Sequence, residues 1–498
     1  MAALAPLLAA LLVAAAAASA QAEPAGAPDQ CTPDVLSRIA FGAGVGSYQT
    51  EGSAQGRAPT IWDTFSAASP SKIADGSNAK VAADFVRRYK GDVQLMRQLK
   101  MKHFRFSISW ARLLPGAKSG SAPDAAAAAY YSSLIDELLA AGIQPLVVLY
   151  QWDLPQSLQD DYDGFLSPKI VPDFVHFADT AFRLFGDRVK TWLTFIEPAV
   201  FCNQQYGSGI WAPGVANGEA GRFACGKHVL LAHAAAAAAY NSKYRAAQNG
   251  ALSFSTLVTW AEPASGSEED AAAAQNKLDA DVGWFLDPIF KGDYPASLRA
   301  AKGDALPPFT PSEAASLRGS LDFVAANCFT ARFVSAGDAG KPGAWRESKV
   351  SPVNGSAVGA ASGLAWLDVA PWGQGRALAY LQMRYGDPQL FISSSGVMAP
   401  GENKLQGAAA LKDAFRTDYY RSYLNEVCRA ARGGARVIGW SAWSFMDAWE
   451  WTEGFNTKFG IVHVDYSSPS LERAPKASAL WLAANVFSRG APAVAHAA

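Results

Sequence analysis

The chain has little cysteine and little charge, and neither shortage is neutral. Five cysteines among 498 residues, none in a CxxC pair, exclude a zinc framework and a disulfide-dense scaffold. Charged residues make up 17%, and 43 basic side chains against 44 acidic ones leave a formal net charge of −1. Without a basic excess, a nucleic-acid partner or a polybasic membrane contact is not expected. Beyond residue 22 no stretch reaches the roughly 20 uncharged apolar residues that span a bilayer. No metal or cofactor is expected. What is abundant is apolar: half the residues are hydrophobic, with 15 Trp, 16 Tyr and 26 Phe, enough to bury a large core and to exclude disorder for most of the chain.

The first 22 residues, MAALAPLLAALLVAAAAASAQA, hold an unbroken apolar run from Leu8 to Ala18 and the small-x-small triplet Ala18-Ser19-Ala20. This pattern predicts a secretory signal peptide over 1–22 and a secreted or extracellular protein, free of the membrane once the signal is removed. An oxidising destination permits disulfides. Cys202 and Cys225 flank one loop and are the expected pair, and the odd count leaves at least one thiol unpaired. Asn354-Gly355-Ser356 is a glycosylation sequon in a Gly/Ser/Ala-rich segment that reads as a surface loop.

Length alone suggests about three average domains at about 150 residues each, yet one barrel with insertions also fills it. Eight β-branched or aromatic runs decide between these: 39–49, 103–110, 144–152, 192–198, 251–258, 321–329, 389–395 and 437–445. Helical patterns such as 81–99 and 125–141 separate them. Strands alternating with helices imply βαβ units and a parallel sheet. Eight units close into a single (β/α)8 TIM barrel of the α/β class, whose chemistry lies at the C-terminal strand ends. The expected division is a signal peptide over 1–22, a short N-terminal segment over 23–34, the barrel over 35–487 and a tail over 488–498. Segments 265–270 and 351–363 read as loops. Lys227, His228 and His233 fall on a helical pattern and read as packing or solvated residues.

The strand ends carry motifs: SYQTEG with IWDTF (47–52 and 61–65), FRFSISWARLLP (104–115), YQWDLP (150–155), TFIEP (194–198), YGSGIWAPG (206–214), and WSFMDAWEWTEGF followed by FGIVHVDY (443–466). In this order, over almost the whole mature length, the chain resembles family 1 glycoside hydrolases of the β-glucosidase type. The resemblance implies retaining hydrolysis of β-glycosides, using two carboxyl groups about 5–5.5 Å apart. One acts as acid and then base; the other attacks the anomeric carbon. Glu197 matches the acid/base. The nucleophile glutamate of the seventh strand is replaced, because Ser394 occupies its position in Phe391-Ile392-Ser393-Ser394-Ser395-Gly396. A hydroxyl is not ionised at neutral pH and supplies no negative charge to an oxocarbenium-like transition state.

Three further departures accompany it. Ile196 stands where an asparagine binds the sugar 2-hydroxyl, Gln151 replaces a histidine, and Phe329 (in Asn327-Cys328-Phe329) lacks the tyrosine hydroxyl that would touch the nucleophile. Much of the sugar cradle implied by the resemblance persists: Gln49 and Glu450 on the sugar hydroxyls, Trp451 as a further hydroxyl contact, Trp443 as the platform under the ring, Arg105 facing the nucleophile position, and Trp152 and Asn327 beside them. Glu402, the next acid after Asp387, lies beyond the strand end in a Pro/Gly loop and is not expected to substitute. With neutral Ser394 opposite and Arg105 nearby, Glu197 is expected to have a lower pKa than in an intact relative and to be ionised at neutral pH. The expected function is therefore a carbohydrate or β-glycoside cleft with impaired or lost hydrolysis. The alternatives are an active β-glycosidase or transglycosidase with an unusual nucleophile, and a non-catalytic protein-binding scaffold.

Overall fold

The strand runs are predominantly apolar, as befits strands covered on both sides. The computed structural model, which describes residues 30–496 apart from 54–55, 69–71, 339–342 and 495, buries them accordingly. The eight strands are β1 (Ala40–Val45), β2 (His103–Ser107), β3 (Gln144–Tyr150), β4 (Thr191–Ile196), β5 (Ala251–Leu257), β6 (Val324–Asn327), β7 (Leu390–Ser395) and β8 (Val437–Trp443). Each pairs in parallel with the next in sequence and β8 returns to β1, closing the barrel. The expected (β/α)8 class is what is observed.

Parallel neighbours need long crossovers, and helices supply them. They include α1 (Phe85–Gln98), α2 (Ala125–Ala140), α3 (Ile170–Phe185), α4 (Gly218–Lys243), α5 (Glu268–Leu278), α6 (Trp284–Lys291), α7 (Pro371–Arg384), α8 (Ala414–Arg432) and α9 (Ala477–Asn485). In α3, Ile170, Phe174, Phe177, Ala178, Ala181 and Phe185 recur at helical spacing and are all buried. Burying each large side chain stabilises by about 1.5–3 kcal/mol, so this stripe, not propensity, holds the helix to the sheet. Asp124 starts α2 by accepting the backbone N–H of Ala127 at 2.8 Å, a cap whose loss costs about 1 kcal/mol.

Every predicted strand run overlaps a barrel strand, β4 starting one residue earlier at Thr191, and most run past its end. The chain leaves the sheet abruptly there: Trp152 and Glu197 take φ of 70° and 49°, in a region that non-glycine residues avoid. The helix expected over 81–99 begins at Phe85, since Ala82 and Asp84 also have positive φ (49° and 52°). Within the predicted loop 265–270, Ser267 accepts from the N–H of Asp270 at 3.2 Å and starts α5. The segment 351–363 is a loop save for the short strand Ala360–Ala361, and Asn354 is exposed on it. The predicted signal segment lies outside the described residues.

Cys202 and Cys225 form the expected disulfide, and a second, unanticipated one ties Cys31 to Cys428 on α8. Cys328 is the buried free thiol. Inside the barrel, Leu146, Val148, Leu193, Ala325, Phe391 and Ile438 pack into one apolar layer. Beside it His103 bonds Ser441 through Nε2 at 2.7 Å. This closed layer makes the barrel a packed core and sets a floor under its C-terminal face.

Candidate active site

Above that floor is a cavity of about 510 Å³, lined from the C-terminal ends of the strands by Glu197, Ser394, Arg105, Gln151, Trp152, Ile196, Asn327, Phe329, Trp443, Glu450 and Trp451 among others. Eleven of the twelve residues singled out from the sequence thus share one wall system. Gln49 is the exception. It is fully buried behind the wall, donating from Nε2 to Glu450 Oε2 at 2.9 Å and accepting from Gln151 Nε2 at 3.3 Å. Three lining residues, Trp152, Glu197 and Trp451, have positive φ, at about 1–3 kcal/mol of strain each. The barrel's packing holds them there.

Glu197 follows β4 and is held by a polar chain that crosses three strands. Asn327, at the end of β6, donates from Nδ2 to Glu197 Oε1 at 2.6 Å. Its own Oδ1 accepts the hydroxyls of Ser255 on β5 (3.0 Å) and Ser393 on β7 (2.6 Å). The Ser255 and Ser393 hydroxyls also lie 2.5 Å from each other, so the amide oxygen sits in a hydroxyl cluster while the amide nitrogen faces the carboxylate. Neither serine was anticipated; a serine within a strand is ordinary until its neighbours are known.

Burial pushes the Glu197 carboxyl up to about 7, against the opposing pulls of the Asn327 hydrogen bond and the Arg105 charge. This corrects the expectation of an ionised group at neutral pH: the apolar walls penalise the carboxylate more than the nearby positive charge favours it. Near neutral pH a substantial fraction is protonated, so the group holds a proton it can donate.

On β7 the three serines point to different places. A bulge displaces the register after Ile392 against both β6 and β8. Ser393 joins the Asn327 network, Ser394 faces the cavity, and Ser395 bonds Tyr419 at 3.2 Å. A one-residue slip would have exchanged these roles. Gly396 follows because a Cβ there would lie 1.7 Å from the Trp443 carbonyl oxygen.

Arg105 is fully buried, with its Cζ 4.7 Å from the centroid of the Trp443 ring. It reaches this place because the opposing residue of β1 is Gly44; a Cβ there would stand 2.6 Å from Arg105 Nε. None of its three nitrogens has a hydrogen-bond partner among the described residues. Unmet buried donors of this kind cost about 1–3 kcal/mol apiece. Burial lowers its pKa to about 9, with Glu197 opposing the shift, so the group is still charged at neutral pH.

Glu450 has one oxygen on Gln49, while Oε1 is buried without a partner, as is Oε1 of Gln151. Both are acceptors suited to hydroxyl donors. Burial raises the Glu450 pKa well above the usual carboxylate range. The aromatic wall is continuous: Trp152 lies 5.0 Å from Trp451 and 4.9 Å from Trp211, ring centre to ring centre. Trp152 Nε1 donates to the Ile196 carbonyl at 2.8 Å. Trp211, Ile210 and Trp366 also line the cavity, and the last two are conspicuously exposed for their type, at 58% and 48%. The YGSGIWAPG motif contained the first two, but only the fold shows that they form the mouth.

The residues set aside from the sequence stay outside. Glu402 is buried in ion pairs with Arg416 and Lys476. His233, on α4, bonds Thr194 and the Ser320 carbonyl. His228 and Lys227 bond the carbonyls of Phe165 and Pro308. Among the described residues no group of His, Cys, Asp and Glu is arranged to hold a metal.

Barrel and cavity together define a glycoside hydrolase-type (β/α)8 protein. The chain belongs to glycosyl hydrolase family 1, whose family model matches residues 35–490. It is 41% identical to beta-glucosidase 11 of rice over 460 residues, covering 89% of this chain and 87% of the relative. It is likewise 41% identical to furcatin hydrolase of Viburnum furcatum over 455 residues, covering 89% and 84%. Among solved structures it is similar to a rice β-glucosidase (TM-score 0.85, 39% identity, covering 90% of this chain and 97% of that one). A β-glucosidase from the fungus Humicola insolens, solved in complex with glucose, superposes with TM-score 0.88 at 34% identity, covering 91% and 98%. The chain is thus β-glucosidase-like over nearly its whole described length.

Proposed function

We propose that the protein is a β-glycoside-binding family 1 barrel that retains the proton donor of retaining hydrolysis and has lost its nucleophile. The observation that carries this is Ser394: β7 contributes a hydroxyl, and no carboxylate, to the cavity that the buried Arg105 also lines. The acids lining the cavity are Glu197, Glu450 and Glu453. Glu450 is engaged with Gln49, and Glu453 is exposed, which leaves Glu197 without a second catalytic carboxyl group. Support for binding comes from the unpartnered acceptors of Glu450 and Gln151 beside the Trp443 ring, a pairing of hydroxyl acceptors and aromatic face that suits a hexose. Ile196 and Phe329 add no polar atom of their own, so the contacts that strengthen in the transition state are reduced more than those that hold the ground state.

The test is an aryl β-glucoside with and without sodium azide. Azide attacks the anomeric carbon as the bond to the aryloxide breaks, and Glu197 protonates the departing oxygen; the products are the α-glycosyl azide and the phenol. Expected is negligible phenol release alone and clear release with azide. Brisk release without azide would overturn the proposal.

We further propose that the protein is exported. Its two disulfides support this, because such bonds persist in oxidising compartments and are rare where thiols are kept reduced.

A further inference from the structure

Arg105 carries five N–H donors on a planar fork, and all three of its nitrogens are buried without a partner while the side chain lines the cavity. Its one close companion is the Trp443 ring face, which balances charge but accepts none of those hydrogen bonds in their plane. The walls around the cavity include Ile196, Leu257 and Phe329, and an apolar surround strengthens whatever charge interaction forms there. A guanidinium fork forms a bidentate, charge-assisted pair with a planar carboxylate.

We propose that Arg105 is the recognition group for a monocarboxylate ligand bound in the cavity beside Ser394. The glutamate side chain exceeds that of serine by about a formate in size, so a small carboxylate placed there meets the Arg105 fork on one side and the Ser394 hydroxyl on the other. The carboxylate comes either as a free small anion alongside a neutral sugar or as the acid group of a sugar acid such as an aldonate, in which it is borne on the carbon that is anomeric in the closed sugar. The proposal rests on the reading of the cavity as a sugar site with a neutral residue on β7, and it assigns that site a ligand class.

The experiment is titration calorimetry of the full chain at pH 7 with sodium formate, sodium gluconate and glucose, on the wild type and on Ser394→Glu. Formate and gluconate are expected to bind the wild type, and each to weaken at least tenfold in Ser394→Glu, whose internal carboxylate occupies Arg105; glucose binding by the variant shows that the cleft is intact. Formate that binds more tightly in the presence of glucose identifies the free anion as the source. Gluconate that displaces both identifies the sugar acid. Should Ser394→Glu not fold, Ser394→Asp serves in its place, and a formate-induced shift of the Arg105 Nε–H resonance in the wild type needs no variant. Glucose binding with no carboxylate binding, or equal carboxylate affinity in wild type and variant, overturns this proposal and leaves the sugar-site reading standing. Absence of binding by all three ligands overturns both.

Discussion

Asn327 Nδ2 donates to Glu197 Oε1 at 2.6 Å, from a strand two places away in the barrel. The hydrogen bond favours the carboxylate, yet burial outweighs it and leaves the group titrating near neutrality. The site therefore sets a carboxyl group that titrates near neutrality in the same cavity as the Ser394 hydroxyl.

The first consequence is a pH-dependent stability. The Glu197 pKa is raised from 4.5 to about 7 on folding. A carboxyl shifted upward costs nothing below its unfolded value, costs progressively more between the unfolded and folded values, and levels off above the folded one. Glu197→Gln, which does not titrate, should match the wild type in urea unfolding near pH 4 and exceed it at pH 8 by about 3 kcal/mol, at about 1.4 kcal/mol per pKa unit. An equal difference at both pH values would contradict the assignment.

Restoring the charge should move both the titration and the rate. In Ser394→Glu the new carboxylate repels ionisation of Glu197, so its pKa rises above the wild-type value. Hydrolysis of an aryl β-glucoside should increase roughly 10²-fold, the scale of one well-placed electrostatic group. Carboxyl-carbon NMR follows the first and phenol release the second. An unchanged or lower Glu197 pKa in the variant would refute the coupling.

Sugar binding should depend on the floor and the rim of the cradle. Glu450→Ala and Trp443→Ala are each expected to weaken glucose binding at least tenfold, which is about 1.4 kcal/mol, measured by calorimetry. Ligand binding untouched by both substitutions would place the working surface elsewhere on the barrel.

The thiols give an independent check. Alkylation of the denatured, unreduced protein should modify one cysteine, Cys328, and alkylation after reduction should modify all five. Mass spectrometry distinguishes these, and three or more modified residues before reduction would exclude one of the disulfides.

Motif order and hydrophobic period were sufficient to place the barrel and most of the residues at its C-terminal face, because strands buried on both sides are predominantly apolar and because Trp443, Glu450 and Trp451 lie close together in the chain. The role of Gly44 was not legible: its need to be glycine comes from the Arg105 side chain, 61 positions on, lying across it. Nor could the run Ser393-Ser394-Ser395 be resolved by letters alone. Three identical residues share one composition, and a bulge in pairing with two other strands selects which of them faces the cavity.

What the amino-acid order determined by itself was the class of barrel, the carboxyl group of Glu197 after the fourth strand and the absence of a glutamate from the seventh strand. The tertiary structure decided the rest: that Gln49 stands behind Glu450 and not on the wall, that Cys31 reaches Cys428, and that Glu197 is not simply ionised at neutral pH. Each of these depends on distance and desolvation between segments remote in the chain. Those are properties of the folded volume, and no local pattern encodes them.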